Sequence, residues 1–207
     1  SDFGLLTGQS IKGQIMPKLG MEPLRRAALV QATISELAEA GSVDVTVGKI
    51  AKRAGVSSGL AHHYFGGKDD IFVAAMRHIL SEFRLEVLAQ LRTAHTPTAR
   101  VHAIIDASFA PASFQSETIN AWMLFYSMAR ANPKAARLLR LYHRRMRTHL
   151  RHALRPVSNR PEEDAETLAA LIDGLYLRAA LTAAKSPSTA AQHAHAVVDA
   201  LLTDPAT

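Results

Sequence analysis

Polar side chains able to contact nucleic acid are concentrated in residues 46–68, which read TVGKIAKRAGVSSGLAHHYFGGK. Two short helical segments, 47–54 and 58–65, flank a turn in which Gly55 can supply a positive φ. In a helix-turn-helix the second helix enters the major groove, and its first residues face base edges. We expect base contacts from Ser58, Gly59, Leu60 and His62, and phosphate contacts or helix caps from Thr46, Ser57, His63, Tyr64 and Lys68. The alternative is a helical hairpin with ordinary polar surface residues.

A second set of side chains has the chemistry to bind a quaternary ammonium ion. Such an ion has no hydrogen to donate, so aromatic faces and an acidic neighbour hold it. Trp122 and Tyr126 share one face of a predicted helix, and Asp173 is three residues from Tyr176 on a later helix. The candidate ligand-binding residues are Phe109, Trp122, Phe125, Tyr126, Asp173 and Tyr176.

These residues also have structural interpretations that the sequence leaves open. An aromatic stripe at helical spacing is more often part of a hydrophobic core. Asp173 lies in an apolar helix, where a carboxylate is costly to bury without a partner. It is therefore a ligand counter-ion, the partner of Arg178 or another base, or a polar position on a subunit interface.

Other clusters of reactive side chains indicate neither catalysis nor a cofactor. The histidine pairs 62/63, 149/152 and 193/195 lack a supporting carboxylate or an HExxH pattern, so we expect no metal site. There is no glycine-rich phosphate loop, nucleophile elbow or paired-carboxylate motif, and we expect no enzymatic activity. The arginine-rich segment 137–155 is best explained as the solvated face of a helix.

The elements that must position these residues are all helical. Apolar residues recur at helical spacing, and no convincing strand pattern is present. Helices are predicted near residues 23–40, 47–54, 58–65, 68–91, 97–109, 116–131, 134–154, 161–185 and 189–202. The first is expected to stop at Gly41, since glycine is common just past a helix end. The sequence therefore predicts an all-α fold of about nine helices.

Composition is compatible with a nucleic-acid partner without requiring one. The net charge of the 207 residues is +6, which favours polyanions. The segment 16–69, however, holds seven basic residues against five acidic ones, so arrangement matters more than bulk charge. No apolar run approaches the roughly 20 residues of a membrane span. With no cysteine in the chain we expect a cytoplasmic protein, and we interpret residues 1–15 as a leader or cloning remnant.

The run from Arg25 to Leu80 resembles the DNA-binding domain of the TetR family of repressors. The matching residues are Ala40-Gly41, Thr46 with Ile50-Ala51, Ala54-Gly55-Val56-Ser57, and His63-Tyr64-Phe65-Gly66-Gly67-Lys68. The resemblance implies a three-helix DNA-binding head at 16–68 and a six-helix ligand-binding and dimerisation body at 69–207. It also implies a homodimer that binds a double-stranded DNA operator.

A wider similarity extends to the BetI-type, choline-responsive members of that family. It covers the opening Met16-Pro17-Lys18-Leu19-Gly20-Met21-Glu22-Pro23-Leu24-Arg25-Arg26, the Gly59 to Asp69 run, Ala121-Trp122, and Ile172-Asp173-Gly174-Leu175-Tyr176-Leu177-Arg178. It implies a repressor of choline and glycine betaine genes, released from a palindromic operator by choline or betaine aldehyde. The alternative is a repressor of the same fold that senses another cationic or lipophilic molecule.

Two apolar stripes near the C-terminus are candidates for the dimer interface. They consist of Leu168, Leu171, Ile172, Leu175 and Leu181, and of Ala194, Val197, Val198 and Leu201. Paired across a two-fold axis, the two helices would form a four-helix interface. The alternative is that both stripes pack inward within one chain.

Overall fold

The computed structural model describes residues 20–40, 45–182 and 186–203, and within them it is all-α, as predicted. The helices are α1 Met21–Ala40, α2 Val47–Arg53, α3 Ser58–Phe65, α4 Lys68–Thr93, α5 Pro97–Ser108, α6 Ser116–Ala129, α7 Pro133–Leu154, α8 Pro161–Leu181 and α9 Pro187–Thr203. A 3₁₀ turn at Pro111–Phe114 precedes α6. Residues 1–15, the first four residues of the opening motif (16–19) and the predicted stop at Gly41 lie outside the described residues.

Helix starts follow local capping chemistry, which is why the sequence predicted them closely. The side chains of Thr46, Ser57 and Thr96 each accept a hydrogen bond from the backbone N–H three residues later. Asn132 accepts from two backbone N–H groups at the start of α7. Helices α5, α7 and α8 also have proline in the first turn, where its missing N–H costs nothing.

The N-terminal helices α1–α3 pack around a small core of their own. Leu29, Ile50 and Ala61 are fully buried there. Ala121 and Leu124 of α6 also belong to this core, so the three-helix unit rests against the rest of the molecule. The Asn120 side-chain amide strengthens that contact by donating to the Leu37 carbonyl oxygen at 3.2 Å.

The larger core lies among α4–α9. Helix α7 contributes its apolar side, on which Leu150 and Leu154 have no exposed surface. Its arginines all face solvent, as expected for the segment 137–155. In the described part of the chain no helix is both long and apolar enough to cross a bilayer.

Helix α4 is the continuous connection between the two cores. Its first turns place Ile71 and Phe72 in the N-terminal core, and Met76 and Val87 lie in the larger one. The start of α4 is also tied to α7 by two polar contacts. Asn132 Nδ2 donates to Asp69 Oδ2 at 3.0 Å, and Lys134 Nζ lies 2.5 Å from Asp70 Oδ1. A division of the chain at residue 68 thus falls at the start of a shared helix, and the domain boundary stays a prediction.

The two C-terminal stripes pack inward, the alternative that the sequence left open. Leu168, Ile172, Ala194 and Val198 are at most 2% exposed within a single chain, so they are unavailable to a subunit interface. Of the nine stripe residues only Leu181, 64% exposed, is openly on the surface. The expectation is wrong for these buried residues, because they close the protomer's own core. For Leu171, Val197, Leu201 and Leu181, which keep exposed surface, it stays a prediction.

Candidate nucleic-acid interface and ligand cavity

Helices α2 and α3 form a compact helix-turn-helix. Gly55 has φ of +67°, the left-handed conformation expected of it. Its N–H donates to the Lys52 carbonyl at 3.2 Å, and the Val56 N–H donates to that of Ala51 at 3.0 Å. Ser57 then caps α3, accepting from the Leu60 N–H at 3.2 Å. The turn therefore satisfies its own backbone groups and fixes where α3 begins.

The polar residues predicted to contact DNA lie on or beside one exposed end of this unit. Thr46, Ser57, Ser58, Gly59, His62 and His63 are exposed, while Leu60, Tyr64 and Lys68 are partly buried. Two of the exposed hydroxyls also cap helices, Thr46 through the Lys49 N–H at 3.3 Å and Ser57 as described above. Their side chains are thus held in place before any partner binds.

Gly48 is a surface position beside these residues that the sequence reasoning missed. A Cβ atom placed on it would lie 3.8 Å from both the Thr46 and the Ser58 hydroxyl oxygens. Because Gly48 has no side chain, the hydroxyls at the start of α2 and at the start of α3 lie on one continuous surface. A glycine in an exposed helix lowers helix stability, so its presence in α2 was an available signal.

Arg26 of α1 holds the C-terminal end of α3. Its Nη1 donates to the Tyr64 carbonyl oxygen at 2.7 Å, and its guanidinium lies 4.6 Å from the centre of the Phe65 ring. At the other side of the unit, Arg53 pairs with Glu36 of α1 at 2.6 Å and also with Glu39. These contacts orient α3 relative to α1.

His62 makes a backbone contact of its own at the end of α3. Its Nδ1 lies 3.2 Å from the Gly66 carbonyl oxygen, and Gly66 has φ of +81°. As the Nδ1–H tautomer, His62 donates to that oxygen and leaves Nε2 as an acceptor at the surface. The ring can thus present an acceptor to a base edge while its orientation is fixed by the backbone.

A second candidate site is a cavity of about 190 Å³ enclosed by α4, α6, α7, α8 and the turn after α5. Four of the six predicted ligand-binding residues line it: Trp122, Tyr126, Asp173 and Tyr176. The cavity is smaller than those that bind drug-sized ligands. Its dimensions therefore favour a small ligand.

Aromatic rings surround Trp122 in this cavity. The ring of Tyr142 lies 5.0 Å from that of Trp122, the ring of Tyr126 lies 5.4 Å away and that of Tyr176 lies 6.3 Å away. Tyr176 is anchored by its hydroxyl, which donates to the Ser113 carbonyl at 2.8 Å. These four aromatic rings thus line one space, and a positive ion is stabilised where it lies over a ring face.

Asp173 provides a carboxylate in the cavity wall. Its Oδ1 accepts from the Tyr142 hydroxyl at 3.2 Å, and its Oδ2 lies 3.4 Å from His143 Nε2. Arg178, an expected partner, makes no ion pair with it among the described residues. Burial raises the pKa of Asp173, although His143 and the Tyr142 hydrogen bond act in the opposite direction. A bound cation would relieve this cost of holding a charge away from water.

The phenols around the cavity remain neutral. Burial raises the pKa of Tyr126, Tyr142 and Tyr176, and the nearby Asp173 raises those of Tyr126 and Tyr142 further. Glu82 and Glu86 of α4 also line the cavity. Among the described residues that line the cavity, the charged side chains are all carboxylates, so the charge facing a ligand is negative.

Phe109 and Phe125 do not line this cavity, contrary to expectation. Phe125 is 2% exposed and lies behind Trp122, with ring centres 5.9 Å apart. Phe109 is 6% exposed and stacks on Phe114, which in turn contacts Tyr176. Both support cavity residues, because the helix faces that carry them turn into the core.

The sequence reasoning also missed cavity residues. Tyr142 lies in the arginine-rich segment that the sequence analysis explains as a solvated face, and Phe83 of α4 also lines the cavity. The sequence offered one indication of this site, since Tyr142 is an aromatic residue within an otherwise basic segment.

Histidines form one further polar group, between α5 and α9. His102 Nδ1 and His195 Nδ1 are 2.6 Å apart. His102 Nε2 lies 3.1 Å from Asp199 Oδ1, and His195 Nε2 lies 2.8 Å from Asp106 Oδ1. In the described residues no group of three or more His, Asp or Glu side chains is arranged to hold a metal ion.

A helix-turn-helix with an exposed tip, joined by one long helix to a domain with a small-ligand cavity, defines a ligand-responsive DNA-binding regulator. Residues 29–75 match the family model described as bacterial regulatory proteins, tetR family. Residues 97–203 match the BetI-type transcriptional repressor C-terminal domain. The chain belongs to the TetR family of transcriptional regulators and carries a BetI-type C-terminal domain. It is a ligand-responsive DNA-binding repressor, and the family resemblance drawn from its motifs is confirmed.

Named relatives and solved structures agree with this assignment. The HTH-type transcriptional regulator BetI of Brucella suis is 49% identical over 170 residues, covering 81% of this chain and 86% of the relative. The protein of the same name from Rhizobium meliloti is 44% identical over 173 residues, 82% and 84% of the two chains. A transcriptional regulator from Pseudomonas aeruginosa has a similar structure, with a TM-score of 0.77, 28% identity and coverage of 87% and 91%. These relatives are regulators, a role without catalysis.

Proposed function

We propose that this repressor controls genes for converting choline to glycine betaine, and that choline or betaine aldehyde releases it from a palindromic operator. The observation that carries the proposal is the aromatic cavity with a half-buried carboxylate. Trp122 and its neighbouring tyrosines offer ring faces, and Asp173 offers the opposite charge.

The choice of a quaternary ammonium rests on the kind of polar groups in the cavity wall. The tyrosine hydroxyls of Tyr142 and Tyr176 already donate to Asp173 and to the Ser113 carbonyl, so neither needs a ligand partner. A quaternary ammonium group, which has no N–H, suits aromatic faces better than a primary ammonium does, because the primary ammonium would lose its hydrogen bonds with water.

Two comparisons support the choice of effector. The relatives with 44–49% identity carry the BetI name. A transcriptional regulator from Saccharomonospora viridis with the same fold was solved in complex with choline, at a TM-score of 0.73 and 21% identity, covering 86% of this chain and 96% of that one. At that identity the likeness concerns the fold, and the effector of the present chain is inferred from its own cavity.

For operator binding we assign α3 to the major groove. Ser58, Gly59, Leu60 and His62 would contact base edges, and Thr46, Ser57, His63, Tyr64 and Lys68 would contact the phosphates. In a homodimer the two α3 helices would lie about 34–36 Å apart to enter successive major grooves. We place the protein in the cytoplasm, where a bacterial operator is found.

Release follows if the effector prefers a conformation with a different spacing of the two α3 helices. Helix α4 provides the connection, because Glu82 and Glu86 line the cavity while Ile71 and Phe72 pack in the DNA-binding core. A shift of α4 at the cavity therefore moves the helix-turn-helix.

The direct test is an operator-binding titration at fixed salt with and without choline or betaine aldehyde. Operator DNA is taken from the region upstream of the chain's own gene and its neighbours. We expect the effector to weaken operator binding at least tenfold, and tetramethylammonium to compete for the same cavity. If no quaternary amine changes operator affinity, the choline assignment fails. A thermal-shift panel of lipophilic compounds would then identify the alternative effector.

A further inference from the structure

A second cavity lies on the other side of α4, between α4, α5 and α7. Its volume is about 310 Å³, larger than that of the aromatic cavity. Its inner wall is apolar and buried, formed by Val87, Ile104, Leu138 and Met146. The aromatic cavity contains carboxylates, whereas the walls of this one contain none.

The mouth of this second cavity is basic. Arg77 and Arg84 reach it from α4 and Arg145 from α7, and all three are exposed. Within residues 20–40, 45–182 and 186–203, none of these arginines forms a salt bridge with a carboxylate. A guanidinium binds a carboxylate through two parallel hydrogen bonds, so arginines without acidic partners beside an apolar cavity favour an anionic ligand group.

The pKa of His149, which lines the same cavity, is lowered in part by this positive charge. Burial lowers the pKa of His149, and Arg84 and Arg145 lower it further. The imidazole is thus kept neutral beside the arginines, and it can donate one hydrogen bond to a ligand. No acidic side chain contributes to the shift of His149.

Helix α4 separates two cavities of opposite charge. Glu82 and Glu86 face the aromatic cavity, and Arg77 and Arg84 face the second. The sequence RHILSEFRLE at 77–86 alternates these charges at helical spacing, which places them on different faces. A ligand suited to one cavity is therefore electrostatically unsuited to the other.

We propose that the second cavity binds a small anionic amphiphile, namely a medium-chain carboxylate. Its alkyl chain packs on Val87, Ile104 and Met146, and its carboxylate pairs with Arg84 and Arg145. This site is distinct from the one proposed for choline, and the ligand has the opposite charge.

The two cavities share part of one wall. Phe83 and Tyr142 line both, with ring centres 6.1 Å apart. The Tyr142 hydroxyl also donates to Asp173 in the aromatic cavity. An alkyl chain in the second cavity therefore contacts a residue that positions the carboxylate of the first.

Octanoate binding to the full chain, measured by isothermal titration calorimetry, tests the proposal. We expect one saturable site per chain and at least tenfold weaker binding of 1-octanol, which has the same chain without charge. The double variant R84Q/R145Q should lose at least tenfold in octanoate affinity. The matched variant R92Q/R144Q removes two exposed arginines from the same helices outside the cavity and should bind octanoate as the unmodified protein does.

A second variant addresses the cavity itself. Leu141 lies at the rim and is 39% exposed, so Leu141→Glu should fold normally while adding a negative charge beside the arginines. We expect it to weaken octanoate binding and to leave choline binding unchanged.

The proposal is overturned if octanoate shows no saturable binding, if octanol binds equally well, or if both double variants lose the same affinity. Choline binding by R84Q/R145Q reports separately on the aromatic cavity.

Discussion

Asp173 carries a charge that the fold keeps largely away from water. Burial raises its pKa, and neither the Tyr142 hydrogen bond nor His143 offsets that effect fully. A carboxylate in this situation gains more from a bound cation than a solvated one does, because the solvated group already has water as a partner.

Removal of this charge should weaken effector binding. We expect Asp173→Asn to reduce choline affinity by about 10- to 100-fold, or ~1–3 kcal/mol, as measured by calorimetry. Glu166→Gln is the matched control on the same helix, since Glu166 is exposed and pairs only with Arg147 among described residues. Equal affinities for Asp173→Asn and Glu166→Gln would remove Asp173 from the ligand site.

Choline affinity should also depend on pH. Asp173 is neutral below its raised pKa and charged above it. A cation prefers the charged form, so affinity should rise as pH increases through this pKa and reach a plateau above it. Titrations over a pH series should show the rise in the unmodified protein and in His143→Gln, which removes the imidazole beside the carboxylate. If the rise persists unchanged in Asp173→Asn, another group is responsible.

Two glycines of the helix-turn-helix, Gly55 in the turn and Gly59 in α3, should respond in opposite ways to substitution by alanine. Gly55 has φ of +67°, so Gly55→Ala should destabilise the protein by about 1–2 kcal/mol. Gly59 lies in helix α3 with open space around its Cβ position, so Gly59→Ala should stabilise by about 0.5–1 kcal/mol. Chemical denaturation measures both changes in stability.

If Gly59 lies against base edges, Gly59→Ala should weaken operator binding despite the higher stability, and unchanged operator binding would argue against that contact.

Base contacts and phosphate contacts should have different signatures. We expect Ser58→Ala to cost about 1–3 kcal/mol on the operator but little on unrelated DNA. Lys68→Gln should weaken binding to both and reduce the salt-dependence slope by about one. Binding isotherms at several salt concentrations separate the two effects, with the exposed body residue Arg92→Gln as control. The assignment of α3 to the major groove fails if Ser58→Ala weakens both DNAs equally.

At the scale of the whole molecule, the apolar stripes of α8 and α9 pack against the protomer's own core. We therefore expect the dimer interface on the faces of α8 and α9 that point away from that core. On α8 this face carries Thr167, Ala170, Gly174, Leu177 and Leu181, spaced three and four residues apart. On α9 it carries Ala196 and Ala200, both exposed. The alanines and Gly174 on these faces would let two helices approach closely, and each face would meet its symmetry copy.

A charge on this surface should separate the subunits. We expect Ala170→Arg to shift the protein from dimer to monomer at micromolar concentration in sedimentation velocity, because an unpaired guanidinium would be buried at the centre of the interface. Ala131→Arg, at the exposed turn before α7, should leave the dimer intact. An Ala170→Arg protein that remains dimeric would place the interface elsewhere.

The amino-acid sequence by itself determined the helices and the DNA-binding motif. Thr46, Ser57 and Asn132 cap their helices through bonds to residues two or three positions away, and Gly55 adopts its conformation for a local steric reason. Such interactions are complete within a few residues, so their spacing alone predicts them. The family resemblance rests on the same local motifs.

Only the tertiary structure decided which side chains share a cavity. Phe125 and Tyr126 are neighbours in sequence, yet Phe125 turns into the core while Tyr126 lines the aromatic cavity. Tyr142 reaches Asp173 across 31 positions of sequence, and α4 divides its acidic and basic residues between two cavities. Periodicity shows that a helix has an apolar face, but the partner of that face depends on how distant helices pack, and packing is set by the whole chain.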